Sequence, residues 1–197
     1  MRIFFILFIS VLNLNGQQNY IDYLSPYHPV VSKSGMVVSQ NNLSSDIGIE
    51  ILNKGGNAVD AAVAVGFSLA ITLPRAGNLG GGGFMLVYLK EKDEIFYIDY
   101  RSKSPLNSTI DNIFDLNGKK IKPKDFTNDM FNKTRYGYKA SAIPGTVAGL
   151  LEAHENFGSL PLEEVLAPAI RQARNVIKVS YDLEKVIENT HQLKKDP

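Results

Sequence analysis

The chain has 197 residues, of which 44% are hydrophobic and 21% charged, so it is long enough to bury the core of one medium domain. Its formal net charge is only +1, and acidic and basic residues are mixed along the sequence. This balance excludes a general electrostatic attraction to nucleic acid. Cysteine is absent, which excludes disulfide bonds and thiolate metal sites.

The N-terminus has the pattern of a targeting segment. Arg2 supplies a positive charge, residues 3–12 are almost wholly apolar, and a short polar stretch with the small Gly16 follows. This pattern predicts a secretory signal peptide over residues 1–16, followed by a linker over residues 17–28. The apolar run is too short for an ordinary membrane span, and a buried strand or a membrane anchor are the alternatives. We therefore expect an exported protein, either periplasmic or extracellular.

The first elements of the mature chain are a predicted strand and a predicted helix. Residues 35–39 form a short β-branched run that is typical of a strand. Ser44 and Ser45 are residue types that cap helices, and the apolar spacing after them predicts a helix. The glycine pair at 55–56 is expected to end that helix.

A second helix is predicted over residues 58–72. Asn57 is its expected N-cap, and Asp60 lies in the first turn, where a carboxylate meets free N–H groups. The segment is apolar on nearly every side and rich in small residues, which predicts a buried, closely packed helix. Pro74 marks its end.

A β-hairpin and mostly helical structure complete the predicted order. Two apolar runs, 84–89 and 94–100, are separated by four polar residues, which predicts two paired strands with a polar turn. Three amphipathic segments predict further helices over residues 147–155, 162–174 and 182–193. The mixed order predicts an α+β fold, and a sandwich with helices outside is the expected architecture.

The candidate site lies around four consecutive glycines, residues 80–83, and Arg101. Residues without Cβ allow positive φ and close approach of another group, and a guanidinium fork suits a carboxylate. The pair suggests a pocket for a small anionic substrate. A tight helix-to-strand crossing is the alternative for the glycines, and an ion pair with Asp99 or an ordinary surface arginine is the alternative for Arg101. A nucleotide site is not expected, because a strand follows the loop and no lysine lies in it.

Other common chemistries lack their patterns. His28, His154 and His191 are widely spaced, so we predict no metal site, and no motif calls for a cofactor. The Gly-x-Ser-x-Gly motif is missing. Thr190 precedes a histidine, but it lies in a charged helical pattern and is predicted to be an ordinary helix residue.

Several ordered blocks resemble the large subunit of the γ-glutamyltranspeptidase family. They cover residues 29–188 and comprise GGNAVDAA at 55–62, LGGGGFM at 79–85, IDYR at 98–101, IPGTVAGL at 143–150 and LAPAI at 166–170. The resemblance implies that residues 29–197 form the N-terminal portion of that subunit. It also implies an N-terminal nucleophile (Ntn) hydrolase fold, an αββα sandwich that is incomplete in this chain.

The resemblance also implies a reaction. The family cleaves the γ-glutamyl bond of glutathione and related compounds, and transfers the γ-glutamyl group to water, an amino acid or a peptide. A precursor cuts itself, and the new N-terminal threonine of the small subunit attacks the γ-carbonyl with its own α-amine as the base. Arg101 matches the family arginine that binds the α-carboxylate of the γ-glutamyl group. The expected partners are a γ-glutamyl compound and a small subunit that carries the threonine.

The sequence departs from the family pattern in one important respect. The Thr-Thr-His motif of the nucleophile is absent, so no catalytic residue is expected in this chain. A split gene product, a gene fragment and a partial sequence are all compatible with that. Two other functions remain open: a cephalosporin-acylase-like amidase, and a non-catalytic module in which Arg101 binds a γ-glutamyl carboxylate.

Overall fold

The computed structural model describes residues 30–108, 140–175 and 177–190. The chain divides into two units, Met1–Gly35 and Met36–Pro197. The described residues of the first unit, 30–35, contain no helix or strand, and every element below belongs to the second. The predicted signal peptide and linker lie outside the described residues.

The first helix, α1, spans Asn42–Asn53. Its N-cap is Asn41, whose side-chain oxygen accepts the N–H of Leu43 at 2.9 Å. The prediction that Ser44 and Ser45 cap this helix is therefore wrong, since both lie inside it. Asn41 performs the cap because its extended backbone aims the amide oxygen at the first turn.

The second helix, α2, spans Ala58–Thr72, as the sequence predicts. Gly55 separates it from α1 with φ +90°, a left-handed conformation that glycine adopts without a Cβ clash. Asn57 and Asp60 form a reciprocal capping box: the Asn57 side chain accepts the N–H of Asp60, and the Asp60 carboxylate accepts the N–H of Asn57. The predicted start and end of α2 are confirmed.

The hairpin consists of β1 (Phe84–Leu89) and β2 (Glu94–Asp99), paired antiparallel. Alternate side chains of the two strands face opposite sides, so one face packs on the helices and the other is exposed. Val87 and Ile98 are buried on the inner face. The hairpin prediction is confirmed.

The predicted strand over residues 35–39 is not formed. Among the described residues, β1 and β2 pair only with each other, and no strand is assigned before them. A β-branched run becomes a strand only when another backbone accepts and donates its ladder hydrogen bonds. The local pattern was therefore insufficient here.

Three helices follow in the C-terminal half. They are α3 (Thr146–Phe157), α4 (Leu162–Arg174) and α5 (Tyr181–Asn189). α4 has the predicted bounds, and α3 extends beyond its predicted segment at both ends. α5 is capped by Ser180 and ends at Asn189. The predicted helix ends at residue 193, which lies outside the residues that the structure describes.

The helices α1, α3 and α4 all pack on α2, and the inner face of the hairpin packs on the same core. The core is formed by buried aliphatic side chains: Ile47, Ile51, Val59, Ala61, Val63, Ala64, Val87, Ile98, Leu150, Ala153 and Val165. Helices on one face of an antiparallel hairpin make this an α+β arrangement. Within the described ranges, no helix combines the length and the apolar character that crossing a membrane requires.

A buried carboxylate attaches the start of α2 to the loop between α3 and α4. Asp60 is fully buried and accepts the hydroxyl of Ser159 at 2.6 Å and the N–H of Asn57 at 2.9 Å. The N–H groups of Ser159 and Leu160 donate to the same carboxylate at 3.1 and 3.3 Å. Burial raises the pKa of Asp60, but these hydrogen bonds outweigh burial and hold its pKa below the usual value.

A buried hydroxyl cluster joins α1, α2 and α4. The Ser44 hydroxyl lies 2.7 Å from that of Ser68 and 2.8 Å from that of Thr72. Ser68 in turn donates to the side-chain oxygen of Gln172 at 2.7 Å. Each buried hydroxyl therefore has a partner, so the cluster fixes the relative position of the three helices without an unpaired polar group.

Candidate functional site

The glycine loop connects α2 to the hairpin and touches two other segments. Gly83 extends the β1–β2 ladder: its N–H donates to the carbonyl of Tyr100 at 3.3 Å, and its carbonyl accepts the N–H of Tyr100 at 3.1 Å. The carbonyl of Gly81 accepts the N–H groups of Gly145 at 2.8 Å and Thr146 at 3.1 Å. The loop thus joins the exit of β2 to the first residues of α3.

Close approach, rather than unusual backbone angles, explains the glycine at position 82. A Cβ there would overlap the N of Ser102 and lie 2.6 Å from the carbonyl oxygen of Tyr100. Within the described chain, Gly55 is the glycine with positive φ, so the glycines at 80–83 do not use the positive φ that their lack of a Cβ allows. The alternative prediction, a tight helix-to-strand crossing where side chains would clash, agrees with this close approach at Gly82.

Arg101 lies at the exit of β2 with an exposed side chain. Its backbone N–H donates to Oδ1 of Asp99 at 3.0 Å, and its guanidinium carbon lies 5.8 Å from the centre of the Phe84 ring. Among the described residues the guanidinium has no carboxylate partner. Asp99 therefore accepts the backbone N–H of Arg101 but forms no ion pair with its guanidinium. The exposed guanidinium of Arg101 therefore keeps N–H donors that a carboxylate could accept.

A cavity of about 150 Å³ lies beneath the glycine loop. Its lining comes from α2, the loop, the end of β2 and α3: Gly66, Leu69, Ala76, Gly77, Asn78, Gly82, Tyr100, Thr146 and Leu150. Arg101 does not line it. The structure therefore brings Arg101 and the glycines together at one crossing, but places the guanidinium on an open surface and not inside this cavity.

The outer face of the hairpin is apolar and exposed beside Arg101. Phe84, Leu86, Tyr88, Ile95 and Tyr97 are 52–72% exposed, and the rings of Phe84 and Tyr97 stack at 5.9 Å. A contiguous apolar face of this kind marks an interaction surface in soluble proteins. We call this surface, formed by Phe84, Leu86, Tyr88, Ile95 and Tyr97, the outer hairpin face.

The two remaining sequence candidates that the structure describes, His154 and Thr190, do not gather into a site. His154 is half-buried, with Nε2 2.9 Å from the carbonyl oxygen of Leu160 and 3.7 Å from Oδ1 of Asp60. His28 and His191 lie outside the described residues. Thr190 follows α5, and its hydroxyl donates to the carbonyl of Val186 at 2.6 Å. No group of three or more potential metal ligands occurs within the part of the chain that the structure describes.

Sequence reasoning missed two residues that hold the crossing together. The sequence predicts Tyr100 only as the end of a strand, but its ring packs against Gly83 and Gly149. The sequence predicts Gly149 only as part of a helix, but a Cβ there would overlap the Tyr100 side chain. A glycine in the middle of a helix was the available signal, because it usually marks a close approach.

The amino-acid sequence is similar to those of known proteins. The profile of the family described as Gamma-glutamyltranspeptidase matches residues 44–197. The glutathione hydrolase proenzyme of Escherichia coli strain K12 is 44% identical over 149 residues, which are 76% of this chain and 24% of that protein. The acylase ACY 1 proenzyme of Pseudomonas sp. strain V22 is 37% identical over 89% of this chain and 31% of its own length.

A solved structure agrees with the sequence comparisons. The gamma-glutamyltranspeptidase from Pseudomonas nitroreducens, solved in complex with L-DON, is 38% identical with a TM-score of 0.71. The match covers 84% of this chain and 46% of that one. The chain spans about a quarter of the length of the curated glutathione hydrolases it matches. Because the family profile covers most of the sequence and the fold agrees, the chain belongs to the γ-glutamyltranspeptidase family.

Proposed function

We propose that this chain is the N-terminal part of an exported γ-glutamyltransferase or glutathione hydrolase, and that Arg101 binds the α-carboxylate of its γ-glutamyl substrate. The observation that carries the proposal is the placement of Arg101. Its backbone is fixed at the glycine crossing, while its guanidinium is exposed and has no carboxylate partner among the described residues. The relatives named glutathione hydrolase supply the reaction class.

Arg101 would bind and orient the substrate rather than react with it. A guanidinium can donate two parallel hydrogen bonds to one carboxylate, which fixes the direction of the substrate as well as its position. Such a clamp holds the γ-carbonyl at one place relative to the attacking atom, in the ground state and in the transition state alike. A charged group that contacts only the α-carboxylate acts equally on ground and transition states, so its loss raises KM.

The bond-breaking step would come from a partner segment. In the proposed reaction, the Oγ of an N-terminal threonine attacks the γ-carbonyl while its α-amine takes the proton. The α-ammonium group then gives this proton to the nitrogen of the γ-glutamyl amide, which leaves as a free amine when the C–N bond breaks. Water or an amino acid then releases the γ-glutamyl group from the threonine ester. We propose that the partner covers the outer hairpin face, because that face is apolar and adjoins Arg101 through Phe84.

The coding sequence that follows residue 197 tests the need for a partner. A downstream frame with a Thr-Thr-His motif supports the proposal, and its absence favours a binding module. We call the completed enzyme this chain joined to that downstream segment. If no such segment exists, the chain is joined to the matching remainder of the Escherichia coli relative. Glutathione cleavage by the completed enzyme is the expected result.

A second function deserves a direct comparison, because two acylase proenzymes are also 37% identical over 89% of the chain. An acylase would cleave an acyl side chain from a cephalosporin and would gain little from a free cation at Arg101 if that side chain lacks an α-carboxylate. Parallel assays with glutathione and an acyl cephalosporin separate the two. Preference for the cephalosporin, unaffected by Arg101→Ala, would replace the first proposal with the second.

A further inference from the structure

We propose that Tyr100 is the positioning residue for Arg101, and that its ring is seated between Gly83 and Gly149. The inference rests on the proposed role of Arg101 and deepens it, since it names what holds the guanidinium in register. Three contacts carry it: the ring on two glycines, the backbone pairing of Tyr100, and the packing of Gly82 on the next peptide.

The ring contact joins three separate elements. A Cβ on Gly83 would lie 2.8 Å from Cε2 of Tyr100, and a Cβ on Gly149 would overlap Cβ, Cγ and Cδ1 of the same side chain. Gly149 is buried in the middle of α3. The Tyr100 ring occupies the space that the side chain of any residue other than glycine would need at position 149. The ring is therefore sandwiched between the glycine loop and α3.

The backbone of Tyr100 makes further contacts in addition to those of its ring. Its N–H and carbonyl both pair with Gly83, and Gly82 packs against the peptide that links Arg101 to Ser102. The N–H of Arg101 is bound to Asp99. With the ring, the backbone and the following peptide all held, the Cα–Cβ direction of Arg101 has little freedom.

The hydroxyl of Tyr100 contributes little to this arrangement. It donates to the carbonyl of Phe84 at 3.4 Å, which is long for a hydrogen bond. Burial raises the pKa of the phenol, so it stays neutral near neutral pH. The positioning role therefore belongs to the aromatic ring, and phenylalanine should perform it as well as tyrosine does.

Two variants remove the seat in different ways, and two serve as controls. Tyr100→Leu removes the ring while keeping an apolar side chain, and Gly149→Ala pushes the ring out of its place. Tyr100→Phe keeps the ring. Gly80→Ala adds a methyl group in the same glycine loop, where the nearest neighbour is Oδ1 of Asn78 at 3.3 Å and the surroundings are otherwise open.

The first readout is the backbone order of Arg101 in the full chain, measured by ¹⁵N relaxation. We expect order parameters near about 0.85 for the unsubstituted chain, Tyr100→Phe and Gly80→Ala, and below about 0.6 for Tyr100→Leu and Gly149→Ala. The amides of Val87 and Ile98 should stay ordered in all of them, which shows that the hairpin is still folded. Unchanged order at Arg101 in both test variants overturns the inference.

The second readout is the division between KM and kcat in the completed enzyme. In Tyr100→Leu and Gly149→Ala, the loosened guanidinium should raise KM for glutathione about tenfold while kcat changes less than about threefold. Tyr100→Phe should keep the KM of the unsubstituted enzyme. An unchanged KM in Tyr100→Leu and Gly149→Ala overturns the inference. If Arg101→Ala also leaves KM unchanged, the proposed function has failed as well. If Arg101→Ala raises KM but the seat variants do not, only the positioning role is refuted.

Discussion

The buried carboxylate of Asp60 gives the strongest prediction for stability. Asp60→Ala would leave the N–H groups of Asn57, Ser159 and Leu160, whose hydrogen bonds are part-buried, without the fully buried carboxylate that accepts them. Each buried donor that loses its partner costs about 1–3 kcal/mol, although relaxation and water recover part of this. Because three donors lose their acceptor, we expect Asp60→Ala to lower the free energy of unfolding by about 3–5 kcal/mol.

Asp60→Asn tests the charge separately from the shape. The amide has the size of the carboxylate but presents an NH₂ group to donors such as the Ser159 hydroxyl, so we expect a loss of about 2–4 kcal/mol. The assay is urea unfolding of the full chain followed by far-ultraviolet circular dichroism. Asp46→Asn is the matched control, because Asp46 is an exposed carboxylate on α1 and its change should stay within about 0.5 kcal/mol.

The pH dependence of this difference has a definite sign. The hydrogen bonds hold the pKa of Asp60 below its ordinary value of 3.8. A carboxyl group with a lowered pKa stabilises the fold fully above its unfolded pKa and loses that stabilisation as the pH falls through the folded value. The gap between the unsubstituted chain and Asp60→Asn should therefore narrow below about pH 3.8. Equal unfolding midpoints at pH 7, or a gap that widens in acid, would refute this reasoning.

Two further predictions concern the hydroxyl cluster and the outer hairpin face. Ser44→Ala removes hydrogen bonds to Ser68 and Thr72 and should cost about 1–2 kcal/mol in urea unfolding, since both partners remain buried; no loss would show that the cluster relaxes freely. Leu86→Ser should leave the unfolding of this chain within about 0.5 kcal/mol, because Leu86 is 71% exposed, yet should reduce assembly of the completed enzyme in size-exclusion chromatography. Leu106→Ser, at a fully exposed leucine outside the hairpin, is the control, and equal assembly of both variants would contradict the docking role.

Local signals sufficed wherever neighbouring residues determine the structure. Asn57 and Asp60 form their capping box within one turn, and the polar turn between two apolar runs specifies the hairpin. The prediction that Ser44 caps α1 failed, because its hydroxyl instead binds that of Ser68 in α2, far along the sequence. The strand at 35–39 failed for a related reason, since pairing depends on a second segment.

The candidate site shows the same division. The family blocks identified Arg101, and the run of glycines at 80–83 indicated a close crossing. The seat of Tyr100 was not predictable, because it joins Gly83 and Gly149, which lie far from each other in the sequence and carry no side chain of their own. Nor did spacing reveal that Asp99 binds the backbone of Arg101 and that the guanidinium has no carboxylate partner in the part of the chain that the structure describes.

The central claim is that Arg101 binds the α-carboxylate of a γ-glutamyl substrate. Steady-state kinetics of glutathione cleavage by the completed enzyme tests it most directly, with Arg101→Ala, Arg101→Lys and the distant control Arg171→Ala. Loss of a charged, oriented contact of about 2–4 kcal/mol predicts that kcat/KM falls about 30- to 1,000-fold for Arg101→Ala, mainly through KM. Arg101→Lys should fall between, since it keeps the charge but not the two parallel hydrogen bonds, and Arg171→Ala should match the unsubstituted enzyme. An unchanged kcat/KM in Arg101→Ala would contradict the account.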